Sequence, residues 1–216
     1  SVAAFTNLYL PLLHRSGYVA PNLGDHGLSF DSPGGYVMDS LPGLYKNILV
    51  LDFKSLYPSI MRTFCIDPLG LIKGLNAPND AIQGFNNAVF SRSEHHLPKL
   101  IEYLTKTRQN AKDTNQPMLS QAIKIIMNSL YGVLGSKGCR FYDPRLSSSI
   151  TLRGHEIMQT TRKWMEELGY SVIYGDTDSI FVKVDESLTA QCCNKIGNEL
   201  MTHINHQWER HIAKHF

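Results

Sequence analysis

Two short runs rich in β-branched residues flank an acidic tripeptide, and this pattern limits the possible folds more than any other in the chain. The runs cover residues 171–175 and 179–184, on either side of the sequence DTD. Apolar runs separated by a short polar turn predict a β-hairpin, here with acidic side chains at its tip. A third run, residues 47–51, predicts a buried strand that ends at Asp52.

Helical spacing of apolar residues fills the chain between and after these strands. The segment SLYPSIMRTF predicts a short helix directly after Asp52, because proline is well tolerated in the first turn of a helix. Four further helices are predicted, at residues 98–113, 118–134, 148–168 and 190–216. Gly169 is expected to be the C-cap of the helix at residues 148–168. The helices at residues 98–113 and 118–134 are joined by the turn TNQP, which predicts a helical hairpin.

Two stretches have no such spacing. The first forty residues are rich in Gly and Pro, which predicts irregular structure with a tight turn at Pro33-Gly34-Gly35. The polar residues 76–87 predict a surface loop. With strands at both ends of the pattern and helices in the middle, the chain predicts an α+β fold with an inserted helical lobe.

Composition narrows the function only a little. Of 216 residues, 43% are hydrophobic and 19% are charged, which is typical of a globular protein, and the net charge of +2 is too small to indicate a polyanionic partner. No apolar run approaches the roughly 20 residues of a membrane span, so we expect a cytoplasmic protein with no membrane partner. The chain starts without Met and ends within a helical pattern, which predicts a piece of a longer protein.

Cysteine and histidine residues add no site. The four cysteines lack CxxC spacing, which fits a reducing compartment and predicts no redox role. Four histidines near the C-terminus have spacings that a metal site would tolerate, but we expect an ordinary terminal helix. These are His203, His206, His211 and His215.

Three aspartates are candidates for a metal site. If the predicted strands are neighbours, Asp52, Asp176 and Asp178 converge, and their mutual repulsion is costly unless a cation offsets it. Mg²⁺ is the natural candidate, since it prefers oxygen ligands and binds one or two carboxylates together with substrate phosphates. Taken alone, the three aspartates are also compatible with an ordinary polar turn and a helix N-cap at Asp52.

A group of cations is predicted on the helical hairpin. Lys124, Asn128 and Tyr131 lie at i, i+4 and i+7, on one face of a helix. In the preceding helix Arg108 and Lys112 are spaced i, i+4, so the hairpin can bring three cations together. Such a group suits a triphosphate, although a solvated basic face has the same sequence pattern.

Three segments, taken in order, resemble the polymerase motifs of the family B DNA polymerases: DFKSLYPSI, KIIMNSLYG and YGDTDSI. Bacterial members are the most similar, through GGYVMDS and RTFCIDPLGL. The resemblance covers nearly the whole chain. It implies a polymerase palm, with a small antiparallel sheet packed by helices, and an inserted helical-hairpin fingers lobe. On this basis the palm covers residues 1–91 and 135–216, and the fingers cover residues 92–134.

The resemblance also implies catalytic roles for the three aspartates. Asp52 and Asp178 would bind two Mg²⁺ ions, with the Phe53 carbonyl as a further ligand and Asp176 in a supporting position. The reaction implied is two-metal transfer of a nucleotide from a deoxynucleoside triphosphate to a primer 3′-hydroxyl, directed by a DNA template.

Nucleotide and DNA contacts are implied by the same motifs. Backbone N–H groups of Ser55 and Leu56 would bind phosphate, and Tyr57 would lie against the sugar and exclude a 2′-hydroxyl. The remaining implied nucleotide contacts are Arg108, Lys112, Lys124, Asn128 and Tyr131. The implied DNA contacts are Gly132 and the segment Gly34, Gly35 and Tyr36, where a plain turn is an equal alternative.

Segments that the family uses to hold DNA have no counterpart in this sequence. Neither the exonuclease motifs nor the thumb is present, and contacts to a sliding clamp would lie in such absent segments. We therefore expect little or no activity from this piece alone. Two alternatives remain, a catalytically silent DNA-binding module and a glycosyl- or phosphotransferase with a DxD turn, but the latter leaves Lys124, Asn128 and Tyr131 without a role.

Overall fold

The structure, a computed structural model, describes residues 2–25 and 27–216. The helices in this part of the chain are α1 (Val2–Arg15), α2 (Leu56–Thr63), α3 (Pro68–Asn76), α4 (Leu97–Asp113), α5 (Pro117–Leu134), α6 (Pro144–Glu167) and α7 (Ala190–His215), with a 3-10 turn at Pro78–Asp80. The strands are β1 (Ile48–Asp52), β2 (Ala81–Gln83), β3 (Val89–Ser91), β4 (Ser171–Asp176) and β5 (Ser179–Lys183).

The chain forms two compact units. Unit 1 comprises Ser1–Pro33 and Ser55–Arg153, and unit 2 comprises Gly34–Lys54 and Gly154–Phe216. The first part of α6 belongs to unit 1 and the remainder to unit 2.

Unit 2 is built on a three-stranded antiparallel sheet in the order β1-β5-β4. One face of this sheet packs against the unit 2 part of α6 and against α7, where Met158, Ile180 and Leu200 belong to a buried apolar cluster. Burying an aliphatic side chain of this size contributes about 1.5–3 kcal/mol, so this cluster stabilises the packing of the helices on the sheet. The opposite face bears the partly exposed side chains of Val50 and Phe181, which lie opposite each other on β1 and β5.

Unit 1 is mainly helical. Helix α4 packs against α5, and both contact α2. A second, two-stranded sheet formed by β2 and β3 packs against α3. The rings of Phe5 and Tyr9, one turn apart on α1, lie against Phe141 with centroids 5.8 and 4.9 Å away.

The α+β architecture with a small antiparallel sheet is confirmed. The predicted helices at 98–113, 118–134, 148–168 and 190–216 correspond to α4, α5, α6 and α7. Gly169 ends α6 with φ +87°, and its N–H donates to the Glu166 carbonyl at 3.0 Å. Only glycine adopts this left-handed conformation without strain, which is why the position marks the end of the helix.

Three predictions about the less regular stretches were wrong. The first forty residues contain α1, whose buried Phe5, Tyr9 and Leu13 recur every four residues despite the nearby Gly and Pro. Residues 76–87 are not all loop, because β2 lies within them. Residues 33–35 form no turn and instead lead into an extended segment that pairs with β4 through Val37.

The helical hairpin of α4 and α5 belongs to unit 1, together with α1, α2 and α3. The two compact units do not coincide with the predicted palm and fingers. The assignment of residues 1–91 and 135–216 to a palm and of residues 92–134 to fingers therefore stays a prediction. Among residues 2–25 and 27–216, no helix combines the length and the apolar composition that crossing a membrane requires.

Candidate active site

Two of the three predicted carboxylates lie in one row across the sheet of unit 2. Asp52 on β1 and Asp176 on β4 are both paired with Ser179 on the central strand β5. Residues in register on neighbouring strands have their side chains on the same face of a sheet. The Ser179 hydroxyl donates to Asp52 Oδ1 at 3.0 Å, so the serine orients the first carboxylate.

The third carboxylate, Asp178, lies in the tight turn that joins β4 to β5. Thr177 adopts φ +53°, and the Asp178 N–H donates to the Asp176 carbonyl at 2.6 Å. The Asp178 carbonyl accepts the N–H of Phe53 at 2.8 Å, which fastens the turn to the end of β1. The backbone around Thr177 is therefore turned, in agreement with the predicted hairpin with acidic side chains at its tip.

The three carboxylates influence one another. Burial raises the pKa of Asp178 above its ordinary value, and the negative charges of Asp52 and Asp176 raise it further. A hydrogen bond from Ser179 opposes this rise in pKa. The site therefore concentrates negative charge on side chains that are exposed or half-buried, so it favours a cation.

The donor set suits Mg²⁺ only in part. In the part of the chain that the structure describes, no three His, Cys, Asp or Glu side chains are grouped so as to hold a metal ion. The cluster is thus not a complete protein cage for a metal. Mg²⁺ commonly binds through one or two carboxylates and completes its shell with water and substrate phosphates, and the carboxylates of Asp52 and Asp178 meet that requirement.

A cleft of about 340 Å³ lies between α4 and α5 in unit 1. All three predicted cations line it, together with Gln116, Ser120 and other polar residues. None of the three forms an ion pair within the described residues. Arg108 Nε is buried and has no hydrogen-bond partner there, and leaving such a donor unsatisfied costs about 1–3 kcal/mol.

Comparison with known families decides the identity of the chain. The family model described as "DNA polymerase family B" matches residues 3–214. The chain belongs to DNA polymerase family B. The expected resemblance is thereby confirmed.

Relatives in family B are much longer than this chain. It is 53% identical to DNA polymerase II of Escherichia coli K12, with 99% of this chain and 28% of that protein aligned. It is 31% identical to a DNA polymerase of Archaeoglobus fulgidus, over 81% of this chain and 23% of that protein. The structure of the family B DNA polymerase from Pyrobaculum calidifontis matches with a TM-score of 0.61 and 28% identity, covering 82% of this chain and 25% of that one. The chain spans about a quarter of these family B members.

The family B motif SLYPSI begins at an unusual backbone position. Ser55 precedes α2 in the left-handed conformation, with φ +52° and ψ +55°, and its side chain does not cap the helix. The first N–H groups of a helix have no partner within the helix. Consecutive N–H groups that include a left-handed residue form a concave surface that can bind an anion, so Ser55 and Leu56 are suitably placed for that role.

Two tyrosines from different family B motifs meet in unit 1. The rings of Tyr57 on α2 and Tyr131 on α5 lie with centroids 4.8 Å apart. Burial raises the pKa of Tyr131, and a hydrogen bond with Ser32 opposes that rise. Lys124 and Asn128 precede Tyr131 on the same side of α5 and are exposed, as is Gly132. The helical spacing predicted that Lys124, Asn128 and Tyr131 share one face of α5, but not the contact between the two tyrosines.

The segment Gly34–Tyr36 lies against the carboxylate turn in unit 2. The Tyr36 carbonyl accepts the Thr177 N–H at 2.7 Å, and the Met38 N–H donates to the Gly175 carbonyl at 2.8 Å. A Cβ atom on Gly35 would lie only 2.7 Å from Thr177 Oγ1. A side chain at position 35 would therefore force the Thr177 side chain to move, whereas no atom lies within 4 Å of the equivalent point on Gly34.

Sequence reasoning missed two residues at this site. Ser179 orients Asp52, and Thr177 donates its hydroxyl to Asp176 Oδ1 at 2.8 Å. Both are small hydroxyl residues in or beside the turn, and such residues are common in any turn. Their only signal is their position next to the aspartates.

Proposed function

We propose that this chain carries the catalytic centre of template-directed DNA synthesis, in which a primer 3′-hydroxyl receives a nucleotide from a deoxynucleoside triphosphate. The observation that carries the proposal is that Asp52 and Asp176 both lie beside Ser179 of the central strand, with Asp178 in the adjoining turn, in a family B chain. Under this proposal, residues 1–91 and 135–216 are the palm and residues 92–134 are the fingers.

Asp52 and Asp178 would hold two Mg²⁺ ions, with the Phe53 carbonyl as a further ligand and Asp176 in support. Mg²⁺ bound there would lower the pKa of the primer hydroxyl and neutralise the charge that develops on the phosphates. The Ser179 hydroxyl bond keeps one oxygen of Asp52 oriented, and the bond between Phe53 and Asp178 keeps both ends of the site together.

The nucleotide contacts are proposed to come from unit 1. Arg108, Lys112 and Lys124 would bind the triphosphate, where charge neutralisation matters more than covalent help. The N–H groups of Ser55 and Leu56 would bind further phosphate oxygens. Tyr57 would exclude a 2′-hydroxyl by its bulk, with its ring supported by Tyr131, while Asn128 and Tyr131 would line the base-pair pocket.

DNA contacts are proposed on both units. Gly34, Gly35 and Tyr36 would contact the template strand, and Gly132 would allow DNA to approach α5 closely. Because the chain spans about a quarter of its relatives, we expect weak primer–template binding and weak or no extension by the chain alone. Any sliding-clamp contact would need other segments.

Primer extension tests this function most directly. Because weak or no extension is expected of the chain alone, the assay uses a full-length family B polymerase that contains this chain, mixed in excess with a labelled primer–template and deoxynucleoside triphosphates, with Mg²⁺ or without a divalent ion. Extension that needs Mg²⁺ and falls at least about 100-fold in Asp52→Asn and in Asp178→Asn supports the proposal. Asp185→Asn, an exposed aspartate after β5, is the matched control and should extend primers normally.

Two outcomes would count against the metal assignment. Undiminished extension by either aspartate variant would exclude the affected residue as a ligand. Binding of primer–template DNA by the wild-type full-length protein without any extension would instead favour a catalytically silent DNA-binding module, which is the second candidate because the chain spans only 28% of E. coli DNA polymerase II.

A further inference from the structure

A histidine of α6 contacts the segment proposed to bind the template. His155 Nε2 lies 2.8 Å from the Gly34 carbonyl oxygen, and its ring centroid lies 5.2 Å from that of Tyr36. A carbonyl oxygen only accepts hydrogen bonds, so Nε2 carries the hydrogen and donates it. The His155 side chain thus contacts the segment at Gly34 and at Tyr36.

The same segment is held from the other side by the carboxylate turn. Thr177 donates to the Tyr36 carbonyl, Val37 is bridged to Asp176, and Gly35 lies against the Thr177 side chain. Residues 34–37 therefore lie between His155 and the turn that carries two of the candidate catalytic carboxylates. These contacts are all within unit 2.

Arg162, a second residue of α6, lies near the same segment. Arg162 follows His155 by seven residues, or two helical turns, and so lies on the same face of α6. Its hydrogen bond with Glu166 raises the pKa of Arg162, and the nearby Tyr36 and Asp39 add to that rise. Arg162 therefore adds positive charge near this segment, while the contacts with it are made by His155.

We propose that His155 is a positioning residue that fixes residues 34–37 against the Asp176–Asp178 turn, so that the segment presents a fixed backbone to the template strand. This inference rests on the proposed function for its DNA readout. Its structural part, the fixing of the segment, is independent of that function. His155 acts through the segment and would touch neither nucleotide nor metal.

Two substitutions separate the two contacts of the imidazole. His155→Phe keeps a ring beside Tyr36 but removes the donor to Gly34. His155→Gln keeps an N–H group at a similar reach and removes the ring. If the hydrogen bond fixes the segment, the Gln variant should behave like the wild type and the Phe variant should not.

Amide hydrogen exchange on the intact chain is the first arm of the test. The reporters are the N–H groups of Met38 and Thr177, whose bonds join the segment to the hairpin. In His155→Phe they should exchange about five-fold faster, with no change at Val182 in the middle of β5, because only the local opening is affected. Unchanged exchange at Met38 and Thr177 would overturn the inference.

DNA binding is the second arm, measured by fluorescence anisotropy with a primer–template carrying a single-stranded template overhang and with a blunt duplex. His155→Phe should bind the overhang DNA about five-fold more weakly and the blunt duplex normally, and His155→Gln should restore overhang binding. Equal losses on both DNAs would indicate general damage and would also overturn the inference.

An exposed histidine of α7 provides the matched control. His203→Phe changes an exposed histidine on α7, in the same unit, and should alter neither exchange nor binding. If the wild type shows no preference for overhang DNA, the template role of the segment fails. The exchange arm still decides whether His155 fixes the segment, so the two failures are distinguishable.

Discussion

Asp67 of unit 1 is a buried carboxylate that joins three helices through hydrogen bonds. Its carboxylate is fully buried and accepts hydrogen bonds from the Tyr9 hydroxyl and from the N–H groups of Gly70, His96 and Leu97. These donors belong to α1, to α3 and to the start of α4. A buried carboxylate is tolerated only when its oxygens are so well satisfied.

We expect Asp67→Asn to destabilise the chain by about 3 kcal/mol, because an amide N–H₂ group would then face hydrogen-bond donors. Tyr9→Phe removes one donor and should cost about 1–2 kcal/mol. Urea unfolding measures both changes. Asp80→Asn, at a side chain that is 92% exposed, is the control and should stay within about 0.5 kcal/mol of the wild type; a similar loss in the control would contradict this role for Asp67.

Asp178 should lower stability when no divalent ion is present. Its pKa is raised in the folded chain, first by burial and then by Asp52 and Asp176, so folding weakens as pH rises and the carboxyl ionises. Asp178→Asn should therefore stabilise the chain at neutral pH, by less than about 1 kcal/mol because the group is largely solvated. The gain should disappear below the ordinary pKa of an aspartate.

Thermal unfolding with and without Mg²⁺ checks the Asp178 prediction. Mg²⁺ should raise the melting temperature of the wild type more than that of Asp178→Asn, because a ligand stabilises only the state that binds it. Equal rises in the two proteins would remove Asp178 from the metal site. Asp185→Asn should respond to Mg²⁺ as the wild type does.

Helix α5 contains a glycine that weakens it without any packing reason. Gly132 is exposed, and no atom lies within 4 Å of the point where a Cβ would stand. Gly132→Ala should therefore stabilise the chain by about 0.5–1 kcal/mol in urea unfolding. If DNA approaches the helix closely at this glycine, primer–template affinity should fall in the same variant, and unchanged affinity would exclude Gly132 as a DNA contact.

The helices α4, α5 and α6 were predictable, whereas α1, α3 and the short strands β2 and β3 were not. Helices α4, α5 and α6 each extend over at least four turns, so their apolar periodicity is unambiguous. Strands β2 and β3 have three residues each, too few for an alternation to be recognised. Helix α3 was missed although it is one residue longer than the predicted helix α2 and although Asp67 and Pro68 form a good helix start.

The candidate site was predictable only where a strand defines a direction. Asp52 and Asp176 end strands, so their placement on one edge of the sheet followed from the pairing of both strands with β5. His155 lies within α6, and nothing in a helical pattern tells that its side chain contacts Gly34, 121 residues away in the sequence. Such long-range contacts depend on packing, which periodicity does not specify.

Charge is unevenly divided over the whole molecule, although the net charge is only +2. Unit 1 has 13 Lys and Arg against 8 Asp and Glu, whereas unit 2 has 8 against 11. Unit 1 is therefore suited to a polyanion and unit 2 to a cation. This division agrees with the proposal that phosphates bind the helical unit and Mg²⁺ binds the sheet.

A comparison of two triple variants tests whether the position of the charges matters more than their number. The first replaces Arg108, Lys112 and Lys124 of unit 1 by alanine. The second replaces three exposed lysines on helices of unit 2 by alanine, namely Lys163, Lys195 and Lys214. Each variant loses three positive charges, so their net charges are identical.

Isothermal titration with inorganic tripolyphosphate at low salt should separate these variants. The unit 1 variant should bind at least about 10-fold more weakly, because it loses the cleft in which three cations converge and Arg108 Nε lacks a partner. The unit 2 variant should stay within about two-fold of the wild type, since its lysines lie on separate, solvated surfaces. Equal losses would mean that bulk charge, and not the cleft, attracts the phosphate.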